Sequence, residues 1–473
     1  MSKTKLAFSV TLFLLLTISV LIFPQSMHKE PYLIYNGNES EMQVVWQLFS
    51  TDTCRIEWGT DTLYSLGNES TYEYGTSHQH TYTITNLTPS TEYYYRVTVS
   101  QEAYNGSFIS APDSNADAVS FFVYGDTRSN PGIHNQVAAE MIAAYNDDPD
   151  FHSIIISVGD LVSNGDSESI WDSEFFSSTY SNIRKMLADL PYQSCIGNHE
   201  GTGVLFKKYF PYPFVSGRYW SFDYGPAHFV VVDQYTSYGP GSAQLTWIEN
   251  DLASTNKPWK FIYLHEPGWS AGGHSNNTNV QNYIQPLCLE YGVPIIFGGH
   301  NHYYARAVVN NVHHITTGGG GAPLYQPDPG YPYIVTASMK NHFCKVTIAD
   351  DTLWFEAVTP SGEVIDSFTI ENPTVGIIPQ NDPNFPRKYI LNDAYPNPFN
   401  PETTISWQTP SPGRQILKVY DILGKEVATL INEFRPAGRY EVKWTAENEQ
   451  SGVYLYRLQS GDMVQTKKMI LLK

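Results

Sequence analysis

The chain has 473 residues, with 28 Lys+Arg against 47 Asp+Glu and a formal net charge of −19 at pH 7. Nucleic acid is neutralised by a basic face, and no Lys- or Arg-rich run offsets this acidity, so nucleic-acid binding is not expected. Charged residues make up only 16% of the chain, while 34 Tyr, 34 Gly and 30 Pro point to turn-rich β structure over about three domains.

Lys3 and Lys5 precede an apolar run from Leu6 to Phe23, which Pro24, Gln25 and Ser26 break. This is the layout of a secretory signal peptide over 1–26, with a retained membrane anchor as the alternative. No second apolar stretch of spanning length follows, so no transmembrane segment is expected in the mature chain and the protein is read as secreted or held at the cell surface. Cys54, Cys195, Cys288 and Cys344 match neither a zinc ribbon nor a dense disulfide framework. They read as buried small hydrophobes with at most one disulfide.

Residues 31–112 alternate apolar and polar in short runs such as Met42–Leu48 and Tyr93–Val99, separated by turns such as Asn36-Gly37. That pattern predicts a β-sandwich. The run Asn86-Leu87-Thr88-Pro89-Ser90-Thr91-Glu92-Tyr93, followed by Tyr95-Arg96-Val97, resembles the fibronectin type III pattern, with Tyr93 as the tyrosine corner. A structural or spacer domain without chemistry of its own is the role expected.

From 117 to 371 the pattern changes to apolar strands alternating with helical spacing. Val119–Tyr124 is followed by Gly132–Tyr145 with Ile133, Val137, Ala138, Met141 and Ile142 at helical intervals. Ile154–Val158, His228–Val232, Lys260–Leu264 and Pro294–Phe297 are further strands. Two packed sheets with helices outside are expected, and each strand runs into a polar cluster. Residues 372–388 form a Pro-rich linker, and 389–473 return to short alternating strands.

The segment Leu391-Asn392-Asp393-Ala394-Tyr395-Pro396-Asn397-Pro398-Phe399-Asn400-Pro401 resembles the opening of the C-terminal sorting domain of type IX secretion. Val419-Tyr420-Asp421-Ile422-Leu423-Gly424-Lys425-Glu426-Val427-Ala428 and Ser451-Gly452-Val453-Tyr454 continue that resemblance. It implies handling by the type IX secretion machinery.

The chemistry is concentrated at five strand ends: Gly125-Asp126, Gly159-Asp160, Gly197-Asn198-His199-Glu200, Leu264-His265 and Gly298-Gly299-His300-Asn301-His302. Carboxylate, amide oxygen and imidazole together are the ligand set of a borderline metal ion. Glycine before Asp or Asn lets the backbone turn sharply, aiming the next side chain into a cleft. Two His spaced as His-x-His on a strand face the same way. Any one cluster is weak evidence; five in this order are strong.

The order resembles the calcineurin-like metallophosphoesterases, and the sandwich in front narrows this to the purple acid phosphatase-like branch. The fold class implied is multidomain: an N-terminal β-sandwich, a central α/β (αββα) metallophosphoesterase sandwich and a small C-terminal β-sandwich. The resemblance implies two divalent or trivalent ions (Fe, Zn or Mn), with Asp160 bridging them. Asp126 and His302 would hold the first, and Asn198, His265 and His300 the second. It also implies a hydrolase acting on small phosphorylated substrates, most simply monoesters, by attack of a metal-bridging hydroxide. His199 would be a donor or acid beside the metals, and His274 the acid that protonates the leaving alkoxide.

Two positions depart from the family. Ser163 stands where purple members place a tyrosine ligand, and Arg128 where other relatives use histidine. His134 is the expected replacement ligand for the first metal, with an exposed helix histidine as its alternative, and Arg128 is expected to bind substrate phosphate, with a salt bridge to a nearby acid as its alternative. The tetraglycine Gly318–Gly321 reads as a flexible turn, with close approach to the cleft as the alternative. Phosphodiester or nucleotide hydrolysis at the same site, and a non-catalytic surface-binding protein, are the competing readings of the whole.

Overall fold

The computed structural model describes residues 26–75, 77–147, 154–372, 389–409, 413–435, 438–460 and 463–473. The expected leader and linker therefore lie outside the described residues, apart from Ser26 and Asn372 at their edges.

Seven strands build the N-terminal unit. Met27–Ile34, Met42–Leu48 and Gln79–Ile84 form one sheet, and Gly67–Thr71, Cys54–Gly59, Glu92–Val99 and Glu102–Ile109 the other. Alternation sends Tyr93, Tyr95, Val97 and Val99 inward, where they pack with Trp46, Ile56 and Phe108. The Tyr93 hydroxyl accepts the Thr88 amide at 2.9 Å, as a tyrosine corner does. The first strand begins at Met27, ahead of the expected start at 31, and two register shifts break its alternation. Tyr32, Ile34 and Tyr35, with Val45 and Ala111, belong to the core of the central unit. The sandwich is thus packed into its neighbour, as a structural domain rather than a loose spacer.

The central unit has two sheets face to face. In the six-stranded sheet, Ile155–Ser157 runs parallel to Ala118–Tyr124 and to Tyr192–Ser194. In the seven-stranded sheet, Ala227–Val231, Trp259–Tyr263 and Ile295–Gly298 are parallel neighbours. Phe121 of the first sheet meets Phe229 and Phe261 of the second edge-on, with centroids 5.0 and 5.2 Å apart. The helices Pro131–Asp147 and Ser181–Asp189 cover the outside of one sheet, and Ala243–Ser254 and Gln285–Tyr291 that of the other. Parallel strands bring their C-terminal ends to one edge, which is where the five polar clusters meet. All four cysteines are buried and free.

The C-terminal unit pairs a three-stranded sheet (Ile390–Leu391, Glu402–Thr409, Gly438–Thr445) with a four-stranded one built on Gly413–Tyr420 and Gly452–Ser460. Trp407, Trp444, Tyr456 and Leu471 form its core. Among the described residues no helix is long and apolar enough to cross a membrane.

Candidate metal centre

Three of the clustered residues hold a backbone that side chains rarely adopt. Asp126, Asp160 and His300 have φ of 54°, 55° and 66°. Such strain persists only where surrounding bonds over-determine it. Here the Asp126 amide bonds the Gly159 carbonyl at 2.9 Å, and the His300 amide donates to the Asp126 carboxylate at 3.0 Å. Gly159, itself at φ 89°, lies so close to Gly197 that a Cβ would sit 2.7 Å from the Gly197 nitrogen. His300 and His302 therefore share a side by virtue of a loop after Ile295–Gly298, where strand alternation had been expected to do it.

Two acceptor groups result. Carboxylate oxygens of Asp126 and Asp160 and a ring nitrogen of His302 lie within 4.8 Å of one another, all buried. Beside them, His265 Nε2 lies 3.0 Å from Asn198 Oδ1, 3.2 Å from His300 Nδ1 and 3.4 Å from Asp160 Oδ1. Asp160 is common to both groups. Nδ1 of His265 donates to the Val158 carbonyl and Nδ1 of His302 to the Pro323 carbonyl, each at 2.8 Å, so each Nε2 carries its lone pair inward. A convergence of lone pairs and carboxylates of this kind fits two metal ions and few other occupants.

The electrostatics agree. Burial, then the neighbouring imidazoles His265 and His274, holds His300 neutral, its pKa lowered to about 3; burial likewise lowers that of His302 to about 4. Burial pushes the Asp126 carboxyl up, and the adjacent Asp160 adds to it. Burial also opposes ionisation of Asp160, but His265, His199 and Arg128 outweigh it and hold that carboxyl below its ordinary value.

Around this centre, the His199 amide donates to Asp160 Oδ1 at 2.9 Å and its Nδ1 pairs with the Ser163 carbonyl. The exposed His274 stands over the His300 ring at 4.0 Å, its amide held by Asn301 Oδ1 at 2.7 Å. Arg128 reaches in, with Nε 3.3 Å from Asp160 Oδ2 and Nη2 3.2 Å from His302 Nε2. His134 is elsewhere, contrary to expectation. Its Nε2 pairs with the Tyr124 hydroxyl at 2.9 Å and its ring packs near Phe175. It shares the buried helix face with Val137, Ala138 and Met141, and burial lowers its pKa to about 3. Ser163 gives its hydroxyl to Glu174 at 2.6 Å.

The tetraglycine proves to be a close approach, correcting its reading as a flexible turn. A Cβ on Gly318 would strike the Asn301 carbonyl and the Asp126 carboxylate, and one on Gly320 the Gly125 carbonyl. Sequence reasoning also missed three supports. Glu200 accepts the amides of Asp160, Leu161 and Gly197, and Glu174 those of Ser129 and Ser163. Tyr325 stacks on His302 at 4.3 Å with its hydroxyl 3.4 Å from His274 Nε2. Glu200 stood inside a quoted motif. Tyr325 and Glu174 carried no local signal.

Residues 120–304, which carry these clusters, match the calcineurin-like phosphoesterase family. In front, 29–112 match the purple acid phosphatase N-terminal domain, and behind, 393–472 match a secretion system C-terminal sorting domain. The chain thus has a region similar to the calcineurin-like phosphoesterases between two segments that match these other families. It is 25% identical over 252 residues to a purple acid phosphatase of Glycine max, covering 49% of this chain and 53% of that protein. It is 24% identical over 320 residues to acid phosphatase type 7 of Mus musculus, covering 59% and 70%. The match to the soybean protein thus spans about half of its length. The purple acid phosphatase PPD1 of yellow lupin shares the fold with a TM-score of 0.61 and 22% identity, over 72% of this chain and 74% of that one.

Proposed function

We propose that the chain is a binuclear metal-dependent phosphoesterase that hydrolyses phosphate monoesters outside the cell. The observation that carries this reading is the pair of acceptor groups sharing Asp160, with histidine tautomers fixed so that lone pairs point inward. Two ions held there by Asp126, Asp160 and His302, and by Asp160, Asn198, His265 and His300, would supply Lewis acidity and a nucleophilic water near neutral pH. The chain's own groups do the rest. Glu200 and Glu174 hold the loops that carry Asp160 and Arg128. Arg128 meets phosphate oxygens, to which its planar fork is matched. His274, exposed at the mouth above His300, hands a proton to the departing alkoxide, and His199, its Nδ1–H donated to the Ser163 carbonyl, stands beside both pockets with Nε2 3.9 Å from Asp160 Oδ2. His134 is left out of this assignment.

The match to a sorting domain supports export through the type IX secretion machinery, and with it a substrate met outside the cytoplasm. Assaying an aryl phosphate beside its bis-ester tests the reading. Faster turnover of the monoester is expected; preference for the bis-ester would make it a phosphodiesterase, and no turnover of either with Fe, Zn or Mn would overturn it.

A further inference from the structure

We propose that the Arg128 guanidinium is a built-in competitor for the first metal pocket, so that the two pockets fill in order and with unequal affinity. This rests on the binuclear reading above. The pockets differ in what their acceptors face. In the second, the Nε2 lone pair of His265 meets Asn198 Oδ1, His300 Nδ1 and Asp160 Oδ1 at 3.0 to 3.4 Å. With His265 Nδ1 already donating to Val158, its Nε2 faces the two oxygens as acceptor against acceptor, and the one proton within reach, on the Nδ1–H tautomer of the neutral His300, can be given up to an entering ion without displacing a charge.

In the first pocket a cation from the chain itself is at hand. Arg128 Nη2 donates to His302 Nε2, and Nε to Asp160 Oδ2. One lone pair cannot bond an N–H and a metal at once, so an ion entering between Asp126, Asp160 and His302 must evict the guanidinium. The guanidinium therefore leaves the pocket only by moving, not by shedding its charge. The side chain is also well placed to stay. It is only 14% exposed, its amide bonds the Asp160 carbonyl at 3.3 Å, and its Nη1 reaches Ser129 Oγ at 3.3 Å. Ser129 is in turn held by Glu174. The first pocket has nothing in reserve to offset that cost, because Ser163 spends its hydroxyl on Glu174 and His134 is buried against Tyr124. Eviction swings the guanidinium toward the cleft mouth, so filling the first pocket also presents Arg128 to phosphate.

The test is a Mn²⁺ titration of the chelator-stripped chain by calorimetry, with electron paramagnetic resonance to detect the coupled pair. Wild type is expected to bind one ion at least about tenfold more tightly than the second, the size expected when one charge must be displaced. Arg128→Met should tighten the weak step by about tenfold or more and leave the strong one within about threefold, while Arg128→Lys, which keeps the charge, should leave the weak step weak. His265→Ala should remove the strong step and so identify which pocket fills first. Equal steps in wild type, or a weak step unchanged in Arg128→Met, would overturn the proposal. Ordered binding without turnover of either ester would remove the phosphoesterase reading and leave this one standing. No Mn²⁺ bound at either step would remove both.

Discussion

Above the proposed ligand histidines stands a second tier, with His274 over His300 and Tyr325 over His302, joined where the Tyr325 hydroxyl meets His274 Nε2 at 3.4 Å. That hydroxyl is placed to orient the imidazole read as the acid. Tyr325→Phe keeps the stacked ring and removes the hydroxyl, so it should lower kcat about 10-fold with little change in KM or metal content. Steady-state kinetics beside metal analysis checks this; a KM effect alone would make Tyr325 a binding residue. At this scale, the candidate ligands were legible because carboxylate, amide and imidazole sit at strand ends where a core has no use for them. Tyr325 and Glu174 were not, since each is a single residue on a loop whose meeting point is set by the path of the whole chain. His134 was misread for a different reason. It lies at i relative to Val137, Ala138 and Met141, the spacing of a buried helix face, and that signal favoured the core over the cleft.

The strand Met27–Ile34 ties the N-terminal sandwich to the segment that carries Glu174. Lys29 is fully buried, with its ammonium 2.6 Å from Asp172, 3.2 Å from Glu168 and 2.7 Å from Gln47, and 4.7 Å above the Tyr209 ring. His28 also pairs with Asp172 at 2.9 Å, and the Tyr32 hydroxyl donates to the Tyr209 carbonyl at 2.6 Å. Burial lowers the Lys29 pKa, but Asp172 and Glu168 oppose that, and their own carboxyls are held below the ordinary range. Lys29→Met should cost roughly 2–4 kcal/mol, toward the lower end because both carboxylates are partly exposed and can be rehydrated. Denaturant unfolding reads the cost directly, and an unchanged midpoint would show the clamp to be idle. Element types and order were legible from periodicity through most of the chain. The seam was not, because the register shifts in this strand break the alternation by which a strand is recognised, and a lysine in sequence reads as surface.

Across the whole molecule, the residues proposed for catalysis and the segment that matches a sorting domain belong to different parts. The polar clusters between Asp126 and His302 all lie in the central unit, whereas the C-terminal strands form a core of their own around Trp407 and Tyr456. Removing residues 389–473 should therefore leave kcat/KM within about twofold, since no proposed site residue is lost, while abolishing export from a host with type IX secretion. Cell fractionation with an activity assay separates the two effects. The three-part plan was readable because each part changes its period, from alternating strands to strands with helices and back. The sharing of one core by the first two parts was not, as it depends on which faces meet.

The central claim is that Asp160 joins two pockets into one hydrolytic centre, and the most direct test compares wild type with Asp160→Asn. Both proteins, stripped and then reloaded with excess Mn, Zn or Fe, would be assayed for bound metal and for hydrolysis of an aryl phosphate. The account predicts up to two ions per chain with turnover in wild type, and in the variant both a loss of bound metal and a fall in kcat of about 1,000-fold or more. Full metal content with undiminished turnover in Asp160→Asn would contradict it.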